Sequence, residues 1–495
     1  MDDVTRSALV IGLVCVVLLL GIASNRLAER IGVPAPAFFL IGAAVASDLV
    51  PALRPASIEA VQRVVTVALV LILFNGGLDI GWQRFRRNAV AIVWVGVAGT
   101  FVTAAAVTAL AHYLLGFGWV LSLLLGAAVS PTDPAVVFSV LGRREIQGRS
   151  GTLLEGESGA NDPVGIALMV ALLAASAGSA SSVTGAQVWV GAREFLLEMG
   201  VGVGVGGLGG WLLLRSMARL PLPSESLYPI RTLASAGLIY ALAVVGHGSG
   251  FLAVFVAGIC IGDARAPYKR EIERFHSALA SIGEIAAFTV LGLTVQLSSM
   301  GTGWAWARGL VLALLLAFVV RPVLVGLVLW PIRLRANERA FVLWAGLKGA
   351  VPVLLGTYLL TSSQDHRLEA YDVVFVVVLF SVLVQGGLVP AVAARLGLPV
   401  EVRQPEPWSL GVRFRDEPEG MHRYTVATGS TADGVTIGAL PLGENVWVSL
   451  VDRGGALVQV RADTELQAGD GVVALVEPRE SAAVARLFCE TAVPE

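Results

Sequence analysis

The sequence predicts an all-α polytopic membrane protein of about thirteen transmembrane helices, followed by a small α/β domain. Three observations predict it. Of 495 residues, 56% are hydrophobic and only 15% charged, with a mean hydropathy of +0.76, whereas soluble domains carry about 25% charge. Apolar runs of about 20 residues, enough to cross a bilayer, recur from Ser7 to Arg395. Beyond Arg403 the pattern changes to short β-type runs separated by Gly, Asp and Pro. The formal net charge of −2 offers no basic field for nucleic acid. Cys15, Cys260 and Cys489 lie too far apart for a metal spacing or a disulfide framework. They read as small apolar filler, and no metal site or cofactor is expected.

The spans fall near 8–24, 34–48, 60–79, 88–116, 118–140, 152–176, 187–217, 229–247, 250–263, 276–295, 304–331, 338–361 and 371–396. Asp2 and Asp3 precede the first, where a cleaved signal would carry basic residues, so this helix reads as retained. Loop charge alternates. One set holds Arg84, Arg86 and Arg87, then Arg143, Arg144 and Arg149, then Arg265, Lys269, Arg270 and Arg274, then Arg333, Arg335 and Arg339. The opposite set holds scattered cations such as Arg54, Arg193 and Arg367. Positive loops stay in the cytoplasm, which places the N-terminus outside and the C-terminal domain inside. The predicted organisation is residues 1–400 as the transmembrane part, 401–407 as linker and 408–495 as the soluble domain. Within the last, the runs at Tyr424, Val446 and Gly471 predict strands, and Ser481–Cys489 a closing helix.

Two spans are interrupted mid-membrane. The fifth contains Ser130-Pro-Thr-Asp-Pro134 and the twelfth Gly346-Leu-Lys-Gly-Ala-Val-Pro352. Proline removes a helix donor and clashes with the preceding turn. Irregular backbone at that depth is tolerated only in protein or along a cavity. A pair of broken helices at corresponding places, seven spans apart, is the mark of a repeated transporter fold with its site at the breaks. Asp133 and Lys348 are the natural pair to compensate the exposed helix ends.

The sixth span contains Glu157-Ser-Gly-Ala-Asn161-Asp162. A carboxylate in hydrocarbon is costly and marks function by default. Ser158 and Asp162, four apart, share a helix face; Glu157 and Asn161 share the adjacent one. Asp162, Ser158 and Thr132 can form an oxygen cage of the kind hard cations prefer. A buried carboxylate can equally hold a proton, since desolvation disfavours its charge. Glu157 needs a partner, and Arg321 is the arginine well inside an apolar span; the pair reads as scaffold. Glu284 is also mid-membrane, without an assigned role. Asn75 and Asp79 read either as funnel lining or as helix caps.

These motifs, together with Arg321-Pro and Val384-Gln-Gly-Gly, resemble the monovalent cation:proton antiporter family of NhaP type over the whole membrane part. The resemblance implies thirteen helices with inverted repeats, a dimerisation part and a mobile core. It makes Asp162 the carboxylate shared by cation and proton, with Asp133, Thr132, Ser158 and Asn161 completing the site. Glu157 and Arg321 would be a structural ion pair, and Lys348 a helix-break cation where relatives usually carry arginine. An Asn before the Asp implies electroneutral exchange. Gly434-Val-Thr-Ile-Gly-Ala-Leu-Pro-Leu and Ala468-Gly-Asp470 resemble the TrkA-C (RCK-C) module, which regulates potassium transport and binds small ligands. The tail points to the NhaP2/CvrA-like potassium/proton branch, a homodimer in the cell membrane, with sodium/proton exchange as the alternative. Two other readings are weaker. A tail-gated cation channel lacks a filter sequence. An intramembrane serine protease built on Ser158 and His247 leaves Asp133, Asp162 and Arg321 unexplained.

Overall fold

The computed structural model describes residues 3–31, 33–55, 57–141, 144–146, 149–176, 185–264, 266–300, 304–398, 400–402, 421–443, 446–454, 456–477 and 480–489. It divides into two compact units, Met1–Leu410 and Gly411–Glu495.

The first unit is helical. In order it contains α1 (Asp3–Ile31), α2 (Ala35–Leu49), α3 (Ile58–Tyr113), α4 (Trp119–Val129), α5 (Ala135–Leu141), β1 (Arg144–Ile146), α6 (Arg149–Ser176), α7 (Gly185–Arg219), α8 (Leu227–Val245), α9 (Gly250–Gly262) and α10 (Lys269–Gly292). There follow α11 (Leu297–Met300), α12 (Ala305–Leu315), α13 (Gly326–Val328), α14 (Ala336–Trp344), α15 (Ala350–Thr361), α16 (Arg367–Phe380), α17 (Gly387–Arg395) and β2 (Val400–Val402). Among the described residues, 7 helices are long and apolar enough to cross a membrane, and five shorter apolar ones accompany them.

The longest, α3, is two helices joined at Gly81, with φ 65° and ψ 165°. That left-handed φ suits glycine. The turn is closed by Asp263, whose carboxylate accepts the Gln83 amide at 2.5 Å. With α3 counted twice, each of the thirteen spans expected from sequence has a helical counterpart. The third and fourth adjoin at this kink rather than across the loop expected at residues 80–87.

The fifth and twelfth spans are split where the prolines and glycines stand. α4 has 11 residues and α15 has 12. At about 1.5 Å per residue each covers about half of a 30 Å hydrocarbon core. Two further spans carry π-helical segments, Leu316–Val325 between α12 and α13, and Ser381–Gly386 between α16 and α17. Such insertions concentrate at functional places. Around these, α3 packs against α4, α6, α9 and α10 and forms the centre of the apolar core. β2 pairs antiparallel with β1, Arg144 opposite Val402. The expected linker 401–407 thus begins inside a strand, and from 403 it lies outside the described residues.

The second unit contains β3 (Met421–Thr425), β4 (Val446–Arg453), β5 (Ala456–Val458), β6 (Gly471–Val476) and α18 (Ser481–Cys489). The four strands form one antiparallel sheet in the order β3-β6-β4-β5. Tyr424, Val451, Val472 and Ala474 point inward, and α18 adds Val484 and Phe488 to the core. Phe488 stacks on Tyr424 at 5.2 Å between ring centres. Asp470, 1% exposed, receives Arg453 through two bonds of 2.9 and 2.8 Å and the Gln467 amide at 2.8 Å.

Burial alone disfavours the charged Asp470 carboxylate, but Arg453 and the Gln467 amide hold it below the usual carboxylate range. A group depressed on folding adds stability above its unfolded value, about 3.9 for Asp, and loses it as pH falls through the folded value. The tail is therefore expected to resist proteolysis equally from about pH 8 to 5 and to loosen below about pH 4. Asp470→Asn keeps the shape without the charge and should cost about 2 kcal/mol. Protease cleavage of the tail in the intact protein checks both.

Candidate cation and proton site

The two helix breaks meet in the core. The amide of Asp133 donates to the carbonyl of Leu347 at 2.8 Å. Lys348 Nζ donates to the carbonyls of Ser130 and Pro131, each at 3.0 Å. Those carbonyls lie at the C-terminal end of α4, which carries about half a negative charge. The carboxylate of Asp133 lies against Gly349, where an added Cβ would overlap Asp133 Oδ2. Gly349 directly precedes α15, so this carboxylate stands at a positive helix end. The residue must be glycine for the two chains to approach so closely. Each break therefore supplies a charge to the helix end of the other.

α6 runs past this crossing. Asn161 Nδ2 donates to Thr132 Oγ1 at 2.7 Å and ties α6 to the first break. Asp162 follows, 6% exposed, with Ser158 one turn earlier on the same helix face. Asp133 and Lys348 are close enough for their charges to act on it. The five residues expected to bind cation and proton thus gather at one place. Thr132, Ser158, Asn161 and Asp162 are buried; Asp133 is half-buried. Among the described residues, two oxygens in the cluster, Asp162 Oδ1 and Asn161 Oδ1, have no hydrogen-bond partner. Buried acceptors are rarely left so, because each costs about 1–3 kcal/mol. Two such oxygens beside a hydroxyl, in a dry place, can hold a proton or a bare alkali cation.

Glu157, one residue before Ser158, turns to another partner. Arg321 Nη2 meets Glu157 Oε1 at 3.1 Å, and both side chains are 4% exposed. The same guanidinium donates through Nε to Leu343 O at 3.0 Å and through Nη2 to Val342 O at 3.3 Å. It thus bridges α6 to the C-terminal end of α14. Its own position comes from the π-helical segment, which contains Arg321-Pro322.

Glu284, on α10, is close enough to feel the charge of Asp133, and among the described residues its Oε1 has no hydrogen-bond partner. Asn75 and Asp79 bond to each other along α3 at 2.8 Å. His247 is exposed beyond the end of α8, whereas Ser158 is buried in α6. Sequence reasoning missed Ser381. Its hydroxyl accepts the Lys348 amide at 2.8 Å and donates to Gln385 Oε1 at 3.0 Å. Two polar residues four apart in an otherwise apolar span were the available signal.

Residues 14–395 match the family described as sodium/hydrogen exchanger, transmembrane. The chain belongs to this family. Residues 421–488 match the TrkA-C domain. The chain is 34% identical over 404 residues to the K(+)/H(+) antiporter NhaP of Alkalimonas amylolytica, covering 81% of this chain and 68% of that protein. It is 29% identical over 470 residues to the K(+)/H(+) antiporter NhaP2 of Shewanella oneidensis, covering 94% and 81%. The solved sodium proton antiporter MjNhaP1 of Methanocaldococcus jannaschii has the same fold, with a TM-score of 0.66 at 21% identity over 79% of this chain and 99% of that one. This member of the exchanger family is therefore a multi-pass membrane cation/proton antiporter and not an enzyme, with a TrkA-C domain as its tail.

Proposed function

We propose that the protein exchanges potassium for protons, one for one, by alternating a proton and the cation on Asp162. The observation that carries the reading is a pair of buried oxygens, Asp162 Oδ1 and Asn161 Oδ1, that have no hydrogen-bond partner among the described residues, with Asn161 bonded to the Thr132 hydroxyl. When Asp162 gives up its proton, the carboxylate takes the dehydrated cation, with oxygens from Thr132, Ser158 and Asn161 around it. Reprotonation expels the cation. Asp162 together with its load sums to zero charge in both loaded states, so the loaded site crosses at the same electrical cost either way. Asp133 and Lys348 fix the helix ends that frame the cavity.

Potassium is favoured by the relatives named K(+)/H(+) antiporters and by the TrkA-C tail. Basic loops such as Arg84, Arg86 and Arg87 and Arg333, Arg335 and Arg339 support an external N-terminus and a cytoplasmic tail. The tail is a regulator that responds to a small ligand, and the chain works as a homodimer.

Proton-coupled exchange in liposomes tests this reading. An imposed pH gradient should be dissipated by potassium and rubidium more than by sodium or lithium, at a rate unchanged when the membrane voltage is clamped. Exchange confined to sodium and lithium would mean a sodium/proton antiporter. Cation flux that follows voltage without proton movement would mean a channel and sink the mechanism. In the same assay, a chain ending at Gln404 should still exchange but lose its regulation. Light scattering in detergent reads the dimer.

A further inference from the structure

The family assignment and the reading of Asp162 leave unused the motif Val384-Gln-Gly-Gly and a small cavity beside it. The small cavity lies on the flank of the second break and is lined by Arg321, Gly346, Lys348, Ser381 and Gln385, among apolar residues of α12 and α16. Its presence means that close packing does not hold the Lys348 backbone on this side, as it would in a filled core. Lys348 sits in the unwound stretch between α14 and α15, so its amide has no helical carbonyl to bond. That amide instead donates to Ser381 Oγ at 2.8 Å. A hydroxyl that accepts still has a proton to place, and Ser381 places it on Gln385 Oε1 at 3.0 Å. Both residues are buried, at 1% and 5% exposure. Both lie in the π-helical segment Ser381–Gly386, whose wider turn sets the face they share.

The other end of Lys348 bears on the site. Its ammonium joins the carbonyls of Ser130 and Pro131, next to Thr132, and its charge reaches Asp162. A displacement of this backbone therefore moves the Lys348 amino group relative to the carboxylate that takes the cation.

We infer that Ser381 and Gln385 are positioning residues for exchange: they hold the Lys348 backbone and thereby set the affinity of Asp162 for its cation. The inference rests on the reading of Asp162 given above. Gln385 bonds Ser381, and Ser381 the Lys348 amide, so the three form a chain from the last span to the second break.

The test is the apparent cation KM against turnover in liposomes. Ser381→Ala is expected to raise KM about five-fold, the worth of one net hydrogen bond, with turnover within about two-fold of the parent. Ser381→Thr restores the hydroxyl and should restore KM. Gln385→Met keeps the size without the acceptor oxygen and should raise KM when introduced alone. Added to Ser381→Ala it should change nothing further. If Ser381→Ala does not fold, Gln385→Met alone carries the test. An unchanged KM, with turnover and melting temperature falling together, shows a merely structural role and overturns the inference. So does an additive double variant. If Asp162→Asn exchanges normally, the underlying reading has failed; if it is inactive while these KM values stay put, only the positioning role has.

Discussion

Asp162→Asn is expected to abolish exchange, at least about a hundred-fold, while the protein folds and inserts normally. The amide has the size of the carboxylate. The substitution therefore leaves the packing of α6 intact. What it removes is the one chemical property the mechanism needs, a group that takes either a proton or a cation. An amide does not gain a proton in the working range, and its neutral oxygen cannot offset the loss of a cation's water shell. A factor of a hundred corresponds to about 2.7 kcal/mol, modest beside the cost of burying an uncompensated ion. Asp133→Asn should also slow exchange, but less. Its carboxylate stands against Gly349 at the start of α15, where an amide oxygen still meets the helix end without the full charge. Rates in liposomes, with melting temperature as the control for folding, decide both. Normal exchange by Asp162→Asn rules the mechanism out.

Much of this arrangement was legible in the sequence because the membrane makes exceptions expensive. A polar residue in an apolar span has few reasons to be there, so Thr132, Asp133, Glu157, Asn161, Asp162, Arg321 and Lys348 stood out. The breaks were equally visible, since Pro131, Pro134 and Pro352 cannot sit mid-helix without consequence. The pairing of partners was harder to see. The sequence groups Thr132 with Asp162 and Ser158 as an oxygen cage; that its hydroxyl also accepts from Asn161 was not legible. Asp133 and Lys348 read as the pair that compensates the exposed helix ends, but the atoms that the ammonium meets, the carbonyls of Ser130 and Pro131, were not legible. Backbone carbonyls carry no signature in a sequence. Gly81 hid a kink for the opposite reason: Asp263, which closes it, is 182 positions away and looks like ordinary loop polarity. Ser381 was missed because a lone serine in a helix normally bonds its own backbone.

Arg321→Ala is expected to cost the membrane part about 3–5 kcal/mol, the range for stripping one partner from a buried pair. Three effects combine. Glu157 loses its counter-charge at a place where its side chain is 4% exposed. Among the described residues its Oε2 has no hydrogen-bond partner. The carbonyls of Val342 and Leu343 lose a donor at the end of α14, just before the break that carries Lys348. Against a total stability of about 5–15 kcal/mol, such a loss should show as poor yield and a lowered melting temperature. Glu157→Gln is a gentler lesion, because Arg321 keeps two carbonyls and the neutral amide can still accept from it. If the pair is scaffold, Glu157→Gln combined with Arg321→Met should be more stable than Arg321→Ala, since no charge remains buried alone, and it should retain some exchange. A double variant that folds well but is as inactive as Asp162→Asn would instead make Glu157 part of the transport chemistry. That outcome would move the boundary between working and structural carboxylates by five residues along α6.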